Sequence, residues 1–232
     1  MKYQFSIFLI LIGFLAFGQS KTFVGVRAGA QTSSAYIAHS IRAVNMDTDF
    51  TTTAHAGLVL KHFNFKGLKR GALNAGLQTG VNYIQRGWRQ VFSEENNLPD
   101  YSVRLDYLEF PVEAVIYAGK GNTKFFGTAG IYYERLINSA EKNRPNEDEL
   151  GRDEFNTYIE SRDPKNGYGG RASLGVFSTF PFGTIQLEAF TSVSFSGVFE
   201  FDNRTTDIPD QSNLYSIGIS LGYFIGFGKM DF

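Results

Sequence analysis

From Leu214 to Gly228, apolar and small residues alternate one by one. Tyr215, Ile217, Ile219, Leu221, Tyr223, Ile225 and Phe227 form one set, and Ser216, Gly218, Ser220 and Gly222 form the other. A period of two places the two sets on opposite faces of a β-strand. An oily face ending in aromatics, opposite a face of Gly and Ser, suits a strand with lipid on one side and a narrow lumen on the other. Seven further runs carry the same alternation: Thr22 to Thr32, Thr51 to Phe63, Ala72 to Arg86, Tyr101 to Ala118, Lys124 to Asn138, Gly167 to Phe180 and Thr184 to Phe199. The run from Tyr101 is mixed. Leu108, Phe110, Val112, Ala114 and Ile116 oppose Glu109 and Glu113, while Val103, Leu105 and Tyr107 fall on the carboxylate face. That reads as a bulge, or as strand projecting beyond the membrane.

The connections alternate in kind. Those after the first, third, fifth and seventh runs are long and polar; those after the second, fourth and sixth are short. Short periplasmic turns and longer extracellular loops are the outer-membrane arrangement. The pattern therefore predicts an all-β fold, an eight-stranded antiparallel up-and-down transmembrane β-barrel. The competing architecture is a soluble barrel of the lipocalin type, apolar inside and polar outside. Two features oppose it. The polar face is small rather than densely charged, which suits a crowded lumen and not a water-washed exterior. The charges on that face have mixed sign and are spread over many strands, so they can pair with one another across a lumen.

The amino end changes the domain reading. Met1-Lys2 is followed by an apolar stretch, Phe5 to Phe17, and by the small residues of Ala16-Phe17-Gly18. This predicts a signal peptide over residues 1–18 and a barrel over 19–232. A single membrane anchor is the other reading, and the stretch is short for a ~30 Å span. The formal net charge of −1 disfavours a nucleic-acid partner, and zero Cys removes disulfides and thiol chemistry. High Gly (25) and 16% aromatics go together with tight lumens, turns and interface girdles.

Candidate chemistry is sparse. Arg27, Lys61, Glu109, Glu113, Glu134, Arg171 and Glu188 all fall on predicted lumen faces. They read either as a structural network that plugs the barrel or as the lining of an ion path. An eight-stranded lumen is just wide enough for side chains, which favours the plug, with Arg27, Glu109, Glu113 and Arg171 at its centre. The three histidines, His39 in the first long loop, His55 in the lumen and His62 near a turn, lie on separate levels. No catalytic, metal or cofactor-binding set is expected from them. Glu147-Asp148-Glu149 and Asp153-Glu154 read as a solvated loop, because they lack the ordered spacing of a calcium loop. Trp88 and Tyr101 are expected in an outer aromatic girdle, and Tyr117 and Phe182 in a periplasmic one. Terminal Phe232 reads either as a signal to barrel-insertion machinery or as a frayed tail.

Arg27-Ala28-Gly29, the stretch Gly76-Leu77-Gln78-Thr79-Gly80-Val81-Asn82-Tyr83, Tyr107-Leu108-Glu109-Phe110-Pro111-Val112 and the ending Gly218-Ile219-Ser220-Leu221-Gly222-Tyr223 together resemble the PorT-like outer-membrane β-barrel family of Bacteroidota. The resemblance implies an eight-stranded barrel in the outer membrane of a Gram-negative bacterium. It also implies a link to secretion, since the family's namesake is associated with the type IX secretion system. It supplies no catalytic or ligand residues. The functional expectation is a non-enzymatic outer-membrane subunit whose partners are lipid, insertion machinery and a larger envelope complex. The alternatives are a surface protein binding through the loops Ser33 to Phe50 and Ser139 to Asn166, and an enzyme at the rim.

Overall fold

The computed structural model describes residues 20–39, 44–64, 74–92, 99–119, 121–145, 158–200 and 208–227. The predicted signal peptide, the acidic runs of 147–154 and Phe232 lie outside these residues.

Eight long strands form the wall: β1 (Ser20–His39), β2 (Thr51–Asn64), β3 (Asn74–Gln90), β4 (Tyr101–Ala118), β5 (Thr123–Lys142), β6 (Asn166–Phe180), β7 (Gly183–Ser194) and β8 (Gln211–Phe227). Each pairs antiparallel with its neighbours in sequence, and β8 closes on β1 from Thr22↔Phe227 to Ala38↔Gln211. No edge of the wall is left open along this seam, which is what lets a sheet cross a bilayer. Pro181-Phe182 and the turn at Gly119 lie at one end, with Ser20 of β1 and Phe227 of β8. Gly119 and Gly121 take positive φ there, a conformation that glycine adopts without a Cβ penalty. By the short-turn rule this end faces the periplasm.

The oily residues are on the outside. Ile217, Ile219 and Leu221 are 58%, 60% and 61% exposed, whereas Ser216 and Ser220 are each 2% exposed. Val26, Leu58, Val112, Ile131, Leu174 and Leu187 are likewise exposed around the ring. So continuous an apolar exterior excludes the soluble barrel, whose exterior is polar. Phe110, Tyr133, Tyr168 and Phe195 follow one another around the outer wall, with Phe110 on Tyr133 and Tyr168 on Phe195 in ring contact. They form an aromatic belt of the kind that sits at a membrane interface.

The strands overrun the predicted lengths at the outer end. β1 continues through Ser33-Ser34 to His39, so His39 ends a strand instead of lying in a loop. Two dipeptides then fold back: Val44–Asn45 pairs with β1, and Thr48–Asp49 pairs with β3. Conversely, β7 stops at Ser194, and the predicted continuation to Phe199 bends across the barrel mouth. In β4 every odd-numbered residue points inward from Tyr101 to Tyr117, with no change of phase. The register shift belongs to β5, where Ile137 is the extra residue between Asp106↔Asn138 and Tyr107↔Leu136. Val103, Leu105 and Tyr107 are inward because this part of the wall stands above the belt, where the interior turns apolar.

Candidate functional site

The interior is a stack of three layers. At the outer end Ala35, Ile37, Ile84, Trp88, Tyr101, Val103, Leu105, Tyr107, Leu136 and Leu214 pack with Tyr158, Val198 and Phe199, which come from the segments lying over the mouth. At the periplasmic end Phe23, Val59, Phe63, Val115, Tyr117, Phe126 and Phe224 form a second cluster. Phe63 stacks edge-on against both Phe23 and Tyr117. Trp88, Tyr101 and Tyr117 therefore fill the lumen and do not form the lipid-facing girdles expected of them; Phe182 is exposed at its turn. They stand at the predicted heights but on the opposite face.

Between the two apolar clusters lies a charged layer. Arg27, Lys61, Glu109, Glu113, Glu134, Arg171 and Glu188 are all buried there. Arg171 is the hub on one side. Its Nη2 lies 3.1 Å from Glu188 Oε1, its Nε 3.4 Å from Glu113 Oε1 and its Nη1 3.8 Å from Glu109 Oε1. Its guanidinium also sits 3.8 Å from the Phe190 ring centroid. Arg27 Nη1 lies 3.4 Å from Glu188 Oε1. Lys61 donates to Gln186 Oε1 over the rings of Phe126 and Phe224, and Gln186 Nε2 donates to Glu188 Oε2 at 2.7 Å.

A second hub, Arg86, is absent from the predicted set. Its Nη2 donates to Glu109 Oε2 at 2.6 Å, and its Nη1 donates to Glu134 and, at 3.2 Å, to Tyr132 Oη. Glu109 thus joins the two hubs. Asn82 Nδ2 donates to Glu109 Oε1 at 3.1 Å, and Gln78 Nε2 donates to Glu113. With Arg86 counted, four cations (Arg27, Lys61, Arg86, Arg171) face four carboxylates (Glu109, Glu113, Glu134, Glu188), so the layer is neutral as a whole. Continuing the alternation of β3 past Gln78, Gly80 and Asn82 places Arg86 inward. The apolar Ile84 on the same face masks that signal.

The glycines of the lumen face have a spatial reason. Gly130 lies between Glu113 of β4 and Arg171 of β6 in the ladder. A Cβ there would come within 2.1 Å of the Val112 carbonyl oxygen and 2.5 Å of Glu113 Cα. Gly57 stands in the same relation to Arg27 and Asn82. Small beside large is how a narrow barrel accommodates its filling. The network lies between the two apolar clusters, and each of its carboxylates has a cation within ion-pair distance.

The three histidines stand apart from one another. His55 Nε2 shares a hydrogen bond of 2.8 Å with Ser220 Oγ inside the layer, His62 Nδ1 lies 3.0 Å from Thr22 Oγ1 near the periplasmic end, and His39 is buried at the outer end of β1. At the outer rim, Asp163 joins the two covering segments. It accepts from the Ile159 amide at 2.7 Å, the Glu200 amide at 3.2 Å and Arg162 Nε at 2.7 Å. Nearby, the Phe50 amide and the Arg89 guanidinium hold the Asp49 carboxyl below the usual carboxylate range.

Solved structures with similar chain paths include Ail, the attachment invasion locus protein of Yersinia pestis, and the outer membrane protease OmpT from Escherichia coli. Ail is 11% identical with a TM-score of 0.35, covering 90% of this chain and 100% of that one. OmpT is 8% identical with a TM-score of 0.40, covering 90% of this chain and 96% of that one. No curated protein matches by sequence. Residues 17–228 match the family described as outer membrane protein beta-barrel domain. A closed ring of eight antiparallel strands, oily outside and charge-filled inside, is the structure that match requires, and the chain belongs to this family of outer-membrane β-barrels of Gram-negative bacteria.

Proposed function

We propose that this barrel is a non-enzymatic structural or accessory subunit of an envelope machine, for secretion or barrel assembly, in a bacterium of the Bacteroidota. One observation carries the reading: the lumen is filled along its length by two apolar clusters and a neutral charged layer. A barrel filled in this way works through its outer surfaces, namely its lipid-facing wall and its extracellular head. The resemblance of Tyr107-Leu108-Glu109-Phe110-Pro111 and its companion stretches to PorT-like proteins supplies the kind of machine. The test is co-purification from native membranes in a mild detergent. A subunit elutes with stoichiometric partners; a barrel that elutes alone under conditions preserving other outer-membrane complexes sinks the proposal.

A second reading, recognition at the cell surface, has its own support. β1, β3, β4 and β5 rise above the belt, and Tyr158, Val198 and Phe199 pack a hydrophobic core beneath the mouth. A packed head is a platform for loops. Deleting 146–157 removes neither Tyr158 nor Asp163. It abolishes binding by a loop-mediated receptor and spares a subunit held through the membrane wall.

A further inference from the structure

The lipid-facing wall is not evenly filled. Along one rung it reads Leu221, Ala28, Ala56 and Tyr83, on β8, β1, β2 and β3 in turn. The next outward-facing rung pairs Ile219 with Ala30 and Ala30 with Ala54. Two alanines side by side, on two such rungs, leave a hollow between β8 and β3, strands that stand three spacings or ~14 Å apart. A groove of about 770 Å³ opens there, with Leu58, Val81 and Tyr83 on one side and Leu221 and Tyr223 on the other. The β8 flank is a ridge of the exposed Ile217, Ile219 and Leu221. From Val24 to Thr32 on β1, and from Thr52 to Leu60 on β2, the outward residues are apolar or Thr, and none is charged. Small residues also line up on β4, β5 and β6 as Ala114, Ala129 and Ala172. That line is a single rung, flanked by the exposed Ile131 above and Leu174 below.

We propose that this hollow and ridge form the contact of a symmetric dimer, with Ile217 and Ile219 of each copy seated on Ala28, Ala30, Ala54 and Ala56 of the other. Hollow and ridge are neighbouring columns of one wall, in the same rungs. A half-turn about an axis along the membrane normal, passing between β8 and β1, brings ridge opposite hollow twice over. That is the self-complementarity of an isologous interface, and it selects a second copy of this chain as the occupant. In hydrocarbon, association draws on close packing and not on a hydrophobic drive, so it favours places where small side chains let two backbones approach. A lipid chain can lie in the groove, yet it brings no hollow to receive the ridge. Above the contact, the fold-back residues Asp47 and Asp49 stand on the β3 side, bonded to the Val91 amide and the Arg89 guanidinium, and so lie away from the axis. The contact needs no further protein, so it stands apart from membership of any envelope machine.

The test uses the purified full-length barrel in phosphatidylcholine vesicles, after heat-modifiable gel migration has verified that each variant folds. The chain has no Cys, so single thiols report on one site at a time. Mixed populations carrying Ile219→Cys and Ala54→Cys should cross-link between chains on mild oxidation. Leu174→Cys, exposed on the opposite wall, should not cross-link with Ala54→Cys. Energy transfer between donor- and acceptor-labelled copies should report dimers that dissociate as lipid dilutes the protein. Ala30→Leu with Ala54→Leu fills the hollow with apolar volume that the membrane tolerates. It should weaken dimerisation by about tenfold or more, the scale of overfilling a packed contact, whereas Leu174→Ala should leave it unchanged. Monomers at every protein-to-lipid ratio, an undiminished dimer in the filled variant, or equal cross-linking through Leu174→Cys overturns the contact.

Discussion

Arg86 shows how much one side chain can hold in this lumen. It joins Glu109 to Glu134 and touches Tyr132, with none of the three exposed to water. Replacing it with Leu leaves Glu134 without its cation and Glu109 with Arg171 alone. Removing one member of a buried pair costs about 3–5 kcal/mol, because the surviving charge stays desolvated. Arg86→Leu should lose stability of that order in urea unfolding from lipid vesicles. Adding Glu134→Gln should recover part of the loss, since it removes one orphaned charge. No recovery in the double variant would mean that packing, not charge, sets the cost. Gly130 makes the complementary point about space. Its Cβ-free backbone lets Glu113 and Arg171 meet across β5, so Gly130→Val should prevent the barrel from reaching its heat-resistant folded form. A normally folded valine variant would show that the lumen has room that the Cβ contacts at Val112 and Glu113 deny.

Among the elements, β8 states the physics most openly and β4 states it twice. In β8 the outward Ile219 stands beside the inward Ser220. Ile219→Arg should destabilise insertion by roughly 2–4 kcal/mol, the cost of such a charge near the bilayer midplane, whereas Ser220→Ala should cost far less. Equal effects in a vesicle-folding assay would refute the assignment of faces. Eight strands, their order and seven of the eight charges of the middle layer were readable from alternation, because lipid imposes one polarity on every membrane-crossing turn of the pleat. The outer ends were not. Above the belt the exterior meets water and the interior must pack against itself, so the pattern inverts without any slip. Val103, Leu105 and Tyr107 look out of phase for that reason, and Ser33 and Ser34 look like loop. In fact Ser33 Oγ bonds to the Gly87 backbone, while Ser34 Oγ bonds to the Thr48–Asp49 fold-back. Trp88 reads as a girdle residue because aromatics near a strand end suit either face, and alternation through Ile84 is the clue to its side. The covering role of Val198 and Phe199 depends on Asp163, distant in sequence, and no local pattern could reveal it. Asp163→Ala should free both segments and speed tryptic cleavage at Arg162 in intact cells by about tenfold, the scale of losing one buried acceptor, while the barrel's own melting changes little. Unchanged cleavage would show that Tyr158 and Phe199 hold the mouth closed without it.

For the molecule as a whole, the stack of layers makes a stronger claim than any one of them. A single constriction in a wide barrel is a gate that one mutation can open. Here the outer cluster, the charged layer and the periplasmic cluster each fill the section of a ring of eight strands, which is close to the smallest that side chains can fill. Damage to one layer therefore leaves two seals. Glu113→Leu removes a partner of Arg171 from the middle layer and should lower the melting temperature of the barrel. It should create no conductance in planar bilayers, since Phe63, Phe126 and Phe224 still close the section below and Trp88, Leu105 and Phe199 close it above. The Trp88→Ala and Phe199→Ala pair should behave the same way, with the charged layer intact beneath it. Discrete openings in single-channel recordings of either variant would mean that one layer alone had been the seal. The lumen would then be a gated pore and not a filled pillar, and the outer surfaces would lose their claim to be where this protein acts.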